Sequence, residues 1–230
     1  MEGIWIANPV MLTIVTYLWG SKYSDDDVAR LFAGLKRNVE QPFNLKVMPI
    51  PTSDMPLTKI PGCFARLRLF DPEFQKAHGL TDRIVCIDLD VIVTGKMDVL
   101  LNRAEDFIVL GGANAVNKCP YNGSIWMLRA GAHANVWYEF SLEAAAEAMR
   151  KGGPTPMLEY PDDQGWFWHM FGNRAPTWKV GSQSGIYAYK KPGWPEDSDD
   201  LPSDARLVVF PGWRSPARVK HLQWVKEHWR

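Results

Sequence analysis

The segment RIVCIDLDVIV, residues 83–93, constrains the fold most, because two carboxylates interrupt a run of β-branched and apolar residues. Such a run is typical of a strand that is covered on both faces of a sheet. Alternation along a strand predicts that Asp88 and Asp90 share one face, with their α-carbons roughly 6.8 Å apart. At close approach the two charges repel by about 4 kcal/mol at an effective dielectric of about 20. The surrounding structure must compensate for this repulsion.

A divalent cation is one means of compensation, because carboxylate oxygens suit Mg²⁺ and Mn²⁺. Backbone N–H groups at the strand end are the alternative, although a single aspartate is enough to cap them. Ligands of open α/β sheets bind beyond the carboxyl ends of the strands, which is where this segment delivers its carboxylates. We therefore predict that Asp88 and Asp90 hold Mn²⁺ or Mg²⁺ at the end of a buried strand.

Strand-like and helix-like patterns alternate along the chain, which predicts an α/β fold with a mostly parallel, Rossmann-like central sheet flanked by helices. Predicted strands cover residues 11–19, 43–50, 83–93, 106–112, 123–130, 185–190 and 205–210. Predicted helices cover residues 24–38, 63–70, 134–153 and 161–171. Ser24 is the expected N-cap of the first helix because three aspartates follow it. The proline-punctuated segment 51–61 is predicted to be a loop.

Length and composition fit one domain with a short extension. The chain has 230 residues, with 26 Lys and Arg against 26 Asp and Glu, so no global field favours nucleic acid. We predict one domain over residues 1–216. Residues 217–230 form a basic, Trp-rich extension that is expected to pack on the domain as a helix, with contact to a membrane surface as the less favoured alternative. Three cysteines without metal-ligand spacing, and an apolar N-terminal stretch too short to span a bilayer, predict a cytoplasmic protein.

The block DRIVCIDLDVIVTGKMDVLL resembles the Asp-x-Asp region of GT-A fold glycosyltransferases, in particular the retaining enzymes similar to glycosyltransferase family 8, such as glycogenin and bacterial galactosyltransferases. Four further blocks resemble the family's motifs in the same chain order. They are VTYLWG at the opening strand, CFARLRLF, YNGSIWMLRAG and DDQGWF.

The resemblance implies a single GT-A domain that transfers a sugar from a nucleoside diphosphate sugar, a UDP-sugar, to a carbohydrate or other hydroxyl acceptor with retention. It also implies a role for each matching residue. Asp88 and Asp90 would hold the metal, and Asp88 would also face the donor. Arg66 and Arg214 would bind the diphosphate, Thr16 and Tyr17 the nucleoside, and Asn122 the transferred sugar. Asp163 and Gln164 would flank the anomeric carbon, so that the expected catalytic residues are Asp163, Gln164 and Arg66.

One departure concerns the family's third metal ligand, a histidine in a late motif near Lys-Pro. The corresponding stretch here is LVVFPGWRSPARV, in which Val209 and Pro211 occupy the candidate positions and Arg214 or Ser215 replaces the lysine. The metal would then be held by the two aspartates, the diphosphate and water, because Mg²⁺ and Mn²⁺ readily keep waters. His221 is the alternative third ligand.

Two other functions and several ordinary roles stay open at this point. DLDVIV also resembles the motif of haloacid-dehalogenase-type phosphatases, with Asp88 as nucleophile, although that motif normally lies on the first strand. A protein that binds nucleotide sugars without turnover is the other alternative. Arg66 alone fits a salt bridge, Asn122 fits turn chemistry beside glycine, and the Asp162–Asp163 pair fits the start of a helix.

Overall fold

A computed structural model describes residues 12–19, 22–50, 62–113, 119–150, 162–212 and 214–230. The larger sheet has six strands in the order β2-β1-β3-β6-β5-β7. They span Leu12–Trp19 (β1), Phe43–Ile50 (β2), Arg83–Ile87 (β3), Phe107–Gly111 (β5), Tyr121–Arg129 (β6) and Thr177–Lys179 (β7). Only β6 runs against the others, pairing antiparallel with both β3 and β5. The predicted mostly parallel sheet is confirmed.

A second, three-stranded sheet has the order β4-β9-β8. Its strands are Val91–Val93 (β4), Ile186–Ala188 (β8) and Leu207–Val209 (β9), and β4 pairs antiparallel with β9. The prediction of one continuous strand over residues 83–93 is therefore wrong. The chain leaves the larger sheet after Ile87 and enters the smaller sheet at Val91, so the carboxylates lie in the break between two strands.

Seven α-helices are described, and they span Asp25–Asn38 (α1), Pro72–Ala77 (α2), Asp98–Leu101 (α3), Asn135–Tyr138 (α4), Leu142–Arg150 (α5), Asp163–Phe171 (α6) and Gln223–His228 (α7). Two 3₁₀ helices span Gly62–Phe70 and Pro216–Val219. The predicted N-cap of α1 is confirmed, because Ser24 precedes the helix and the Asp27 carboxylate accepts a hydrogen bond from the Ser24 backbone N–H at 2.9 Å.

Two predictions of local structure need correction. The predicted helix 63–70 is a 3₁₀ helix. Helix α2 follows it directly, because the Asp71 carboxylate caps the start of α2 by accepting a hydrogen bond from the Glu73 N–H at 3.0 Å. The predicted helix 134–153 divides into α4 and α5, since the Ser141 hydroxyl accepts from the Ala144 N–H at 3.0 Å and starts a second helix. Strand β7 was not predicted. The predicted loop 51–61 lies outside the described residues.

Strand β3 is covered on both faces, as its sequence predicts. Val85 and Ile87 join a core that includes α1 and the smaller sheet, whereas Ile84 and Cys86 join a core that includes the first 3₁₀ helix and α6. A third cluster lies on the other side of the smaller sheet and includes Trp224 of α7. Among the described residues, no helix is both long enough and apolar enough to cross a membrane.

Candidate active site

A pocket of about 190 Å³ opens where β1 and β3 end, the position at which open α/β sheets bind ligands. Tyr17, Trp19 and Ile50 line it from the ends of β1 and β2. The remaining wall comes from the residues after β1, the first 3₁₀ helix, the break after β3 and the start of α6, and comprises Lys22, Tyr23, Cys63, Arg66, Asp88, Leu89, Asp162, Asp163 and Gln164. The predicted catalytic residues are thus all in one place.

Arg66 stands at the centre of one wall. Its Nη1 donates to Asp88 Oδ1 at 2.5 Å and to the Gly123 carbonyl at 2.7 Å. Its Nη2 lies 2.6 Å from Asp163 Oδ2, an ion-pair contact without hydrogen-bond alignment. Burial by itself would lower the pKa of the guanidinium, but Asp163 and Asp88 raise it well above its usual value. Arg66 is therefore a fixed cation between two carboxylates, and we call Arg66, Asp88 and Asp163 the Arg66 side.

Gly123 allows β6 to approach this cation closely. A β-carbon at that position would lie 2.7 Å from Arg66 Nη2 and 3.1 Å from Asp163 Oδ2. Both distances are shorter than a normal van der Waals contact, so a larger residue would displace the guanidinium. The glycine in the YNGS block thus has a steric role beside the ion pair.

The two carboxylates of the Arg66 side carry more negative charge than one guanidinium offsets. Asp163 is fully buried in the first turn of α6, and burial raises its pKa to about 7 although Arg66 opposes the shift. Burial likewise raises the pKa of Asp88 to about 6, again against Arg66, and the nearby Asp90 adds to the rise. Further positive charge in the pocket would stabilise the ionised form of both groups.

Asp90 has a different environment. Its Oδ2 accepts a hydrogen bond from the Tyr23 hydroxyl at 2.8 Å, and the Lys22 ammonium lies 3.4 Å away. Lys22 also lies over the Tyr23 ring, with its Nζ 4.6 Å from the ring centroid. We call Lys22, Tyr23 and Asp90 the Tyr23 side. The sequence-based prediction missed Lys22 and Tyr23, although their position directly after the end of β1 could have indicated them.

The other predicted site residues lie at varying distances from the pocket. Tyr17 lines it and donates to the Ala65 carbonyl at 3.3 Å, whereas Thr16 is fully buried in the sheet. Asn122 is buried in β6, where its Oδ1 accepts from the Ser124 N–H at 3.0 Å, next to the glycine that contacts Arg66. Gln164 lines the pocket, and its side-chain amide donates to Asp162 Oδ2 at 3.0 Å.

Asp162 and Arg214 complete the surroundings. Asp162 is the N-cap of α6 and accepts from the Gly165 N–H at 2.7 Å, so the helix-start interpretation holds for this residue. Arg214 lines an adjoining recess of about 310 Å³, which Asp90 also lines. Lys22, Tyr23 and Leu89 border both the pocket and this recess, which makes the two cavities neighbours.

The donor set fits a divalent cation held by two protein residues. Asp88 Oδ2 and Asp90 Oδ1 make no hydrogen bond to the described residues, and both carboxylates are oxygen donors of the kind that Mg²⁺ and Mn²⁺ prefer. Three carboxylates, Asp88, Asp162 and Asp163, line the pocket together with Lys22 and Arg66, and Asp90 lines the adjoining recess together with Arg214 and Arg218. Within the described ranges, no three His, Cys, Asp or Glu side chains are placed to share an ion, and His221 is exposed.

Solved structures with a similar fold include an active-site mutant of LgtC, with a TM-score of 0.62, 9% identity and coverage of 94% of this chain and 93% of that one. The chain has the GT-A glycosyltransferase fold. The galactosyltransferase LgtC in complex with donor and acceptor sugar analogues gives a TM-score of 0.56, 10% identity and coverage of 94% and 96%. A glycosyltransferase involved in glycosylation of the major capsid of PBCV-1 gives 0.54, 14% identity and coverage of 91% and 97%.

These likenesses confirm the predicted fold and the structural resemblance to the family 8-like enzyme LgtC. No protein-family model matches the chain. A search of curated proteins likewise gives no match. The similarity therefore lies in the three-dimensional fold. Sequence identities of 9 to 14% do not show the activity, which depends on the residues of the site.

Proposed function

We propose that the protein is a metal-dependent glycosyltransferase that moves a sugar from a UDP-sugar to a hydroxyl acceptor with retention of configuration. One observation carries the proposal. Arg66 is fixed between Asp88 and Asp163 at the strand ends of a GT-A fold, with Gln164 on the same wall. The neighbour LgtC was crystallised with donor and acceptor sugar analogues, which supports a nucleotide sugar and a sugar acceptor as the class of ligands.

The main chemical task is to stabilise the leaving group. As the bond between the anomeric carbon and the diphosphate breaks, negative charge grows on the phosphate oxygen. A divalent ion bound by Asp88 and Asp90 would supply Lewis-acid stabilisation of that charge. The Arg66 guanidinium is preorganised by two carboxylates and a carbonyl, so it provides a second fixed positive charge without reorganisation. Arg214, which lines the adjoining recess, would bind the phosphates.

The residues beside the reacting carbon favour a front-face transfer. Gln164 is an amide and cannot form a stable covalent glycosyl intermediate. Asp163 is fully buried and paired with Arg66, so it is poorly placed as a nucleophile. The departing phosphate oxygen would therefore accept the proton of the acceptor hydroxyl. Asp163 would orient Arg66, and Gln164 would bind a sugar hydroxyl or the oxocarbenium-like centre.

The nucleoside would lie against the end of β1. Tyr17 lines the pocket there together with Trp19, whose ring offers a flat apolar surface for a base. Asn122 would act on the transferred sugar indirectly. Its side-chain oxygen accepts a hydrogen bond from the Ser124 N–H and so orders the backbone of β6. Thr16 would support this wall from within the sheet.

The phosphatase alternative is not supported by the fold. Asp88 follows β3, the third strand along the chain, whereas the phosphatase motif normally lies on the first strand, and the chain has the GT-A fold. The non-catalytic binding alternative keeps every contact described above, so only turnover separates it from a transferase.

The test is the Asp90→Asn variant, which keeps the shape of the side chain and removes its charge. We expect UDP with Mn²⁺ to raise the melting temperature of the wild type, and the variant to lose that rise and the release of UDP from UDP-sugars. Its melting temperature without ligands should match the wild type. A folded variant with full turnover would contradict the proposal. Cleavage of p-nitrophenyl phosphate without a response to UDP would favour the phosphatase, and UDP binding without turnover would favour the binding protein.

A further inference from the structure

We infer that Tyr23 is a positioning residue for Asp90, and that its hydroxyl orients this carboxylate for a divalent cation. The inference rests on the proposed function, since it assigns Asp90 to the metal. It starts from the 2.8 Å hydrogen bond that the Tyr23 hydroxyl donates to Asp90 Oδ2. This bond occupies one oxygen and leaves Oδ1, the other acceptor of the carboxylate, for the cation shared with Asp88.

The need for such a residue follows from the donor set. Two carboxylates alone fix a cation less firmly than three ligands, and no third His, Cys, Asp or Glu joins them within the described residues. Asp90 also lies in a break between strands, where no sheet pairing of its own fixes the backbone. A hydrogen bond from the second layer of residues restricts the side chain to one orientation and thereby strengthens metal binding.

Tyr23 is itself held firmly. It immediately precedes Ser24, the N-cap of α1, whose N–H and hydroxyl each bond to the Asp27 carboxylate at 2.9 Å. The Tyr23 ring packs against the core that contains α1, β1 and β4. The start of the helix and the core together aim the hydroxyl at Asp90. Lys22 also contacts Asp90, but 55% of its side chain is exposed and its contact is longer, at 3.4 Å, so it orients the carboxylate less.

The test uses Tyr23→Phe, which removes only the hydroxyl. Binding of Mn²⁺ in the presence of UDP is measured by the electron paramagnetic resonance signal of the free ion. We expect the Kd for Mn²⁺ to rise by about tenfold or more, as is typical for loss of a residue that orients a metal ligand. We also expect the Mn²⁺ concentration for half-maximal UDP release to rise by a similar factor, with kcat at saturating Mn²⁺ within about twofold of the wild type.

The matched control is Tyr187→Phe. Tyr187 donates to Asp204 Oδ1 at the same distance of 2.8 Å, but this pair lies in the smaller sheet and its loop, away from the pocket. We expect this variant to bind Mn²⁺ like the wild type. Melting temperatures of both variants establish that each is folded.

The outcomes separate this inference from the proposed function. An unchanged Kd in a folded Tyr23→Phe variant, or an equal rise in Tyr187→Phe, overturns the role of Tyr23 and leaves the transferase proposal intact. A wild type that binds Mn²⁺ with UDP but transfers no sugar overturns the transferase proposal, while a weaker Kd in Tyr23→Phe still supports the role of Tyr23. A wild type that binds no Mn²⁺ overturns both.

Discussion

Asp88 and Asp90 are separated by one residue, yet the two carboxylates contact different kinds of group. On the Arg66 side, a buried guanidinium contacts Asp88 and the fully buried Asp163. On the Tyr23 side, Asp90 contacts a neutral hydroxyl and the exposed ammonium of Lys22. The difference teaches that one Asp-x-Asp motif can present one carboxylate within a buried ion network and the other beside a hydroxyl that orients it. The break between β3 and β4 makes this division possible.

The largest expected effect comes from Arg66→Met. The variant leaves Asp88 and Asp163 without their buried cation, so we expect it to lose about 3–5 kcal/mol of the free energy of unfolding, measured with urea. The control is Arg68→Met on the same 3₁₀ helix. Arg68 is exposed and lies over the Phe74 ring at 4.9 Å, so its loss should cost about 0.5–1 kcal/mol. Equal losses would show that the Arg66 side is no more rigid than the surface.

The stability of the metal-free protein should also depend on pH, in a direction set by the two raised pKa values of the Arg66 side. Burial raises the pKa of Asp163 to about 7 and that of Asp88 to about 6, so the native state binds protons more tightly than the unfolded state. The contribution of these two groups to the free energy of unfolding is then greatest at or below about pH 4, and it falls as the pH rises to about 7. Thermal unfolding between pH 4.5 and 8 measures this slope.

Asp163→Asn should flatten this slope, because the variant cannot titrate. Glu105→Gln is the control of opposite sign, since a hydrogen bond from Arg103 lowers the pKa of Glu105 to about 2. Its contribution is lost as the pH falls from about 4.5 to about 2, so the slope above about pH 5.5 should not change. A slope in Asp163→Asn equal to that of the wild type would contradict the assignment of the buried charge to the Arg66 side.

The smallest of the three effects is expected from Gly123→Ala. The added β-carbon would lie 2.7 Å from Arg66 Nη2, so the guanidinium must shift, at a cost of about 1–3 kcal/mol in the free energy of unfolding. Gly165→Ala is the comparison, because its β-carbon would meet the flexible Met149 side chain at 2.9 Å. Helix propensity favours alanine there, so the net change should be near zero. Urea unfolding of both variants decides whether the Arg66 side resists displacement.

Parts of the fold and site followed from the sequence for clear physical reasons. Alternation of strand and helix patterns predicted the sheet, and the block motifs placed Arg66, Asp88, Asp163 and Gln164 on one pocket. The break after Ile87 was not predicted, because apolar residues continue through Val93 and periodicity cannot show which sheet a strand joins. The Tyr23 bond to Asp90 was also missed. It joins residues 67 positions apart, and the sequence pattern carries no signal of such pairs.

The pairing of β4 with β9 has a consequence for how the site is assembled. Val91 lies opposite Val209, so the chain segment that carries Asp90 is fixed by residues near the other end of the chain. Contacts between distant segments form late when a chain folds, because a long loop must close first. A fragment that ends before residue 207 would retain the strands of the larger sheet and the Arg66 side, but the segment that follows its second carboxylate would lack its pairing with β9. The smaller sheet beside the site therefore forms only after residues 207–209 have been synthesised.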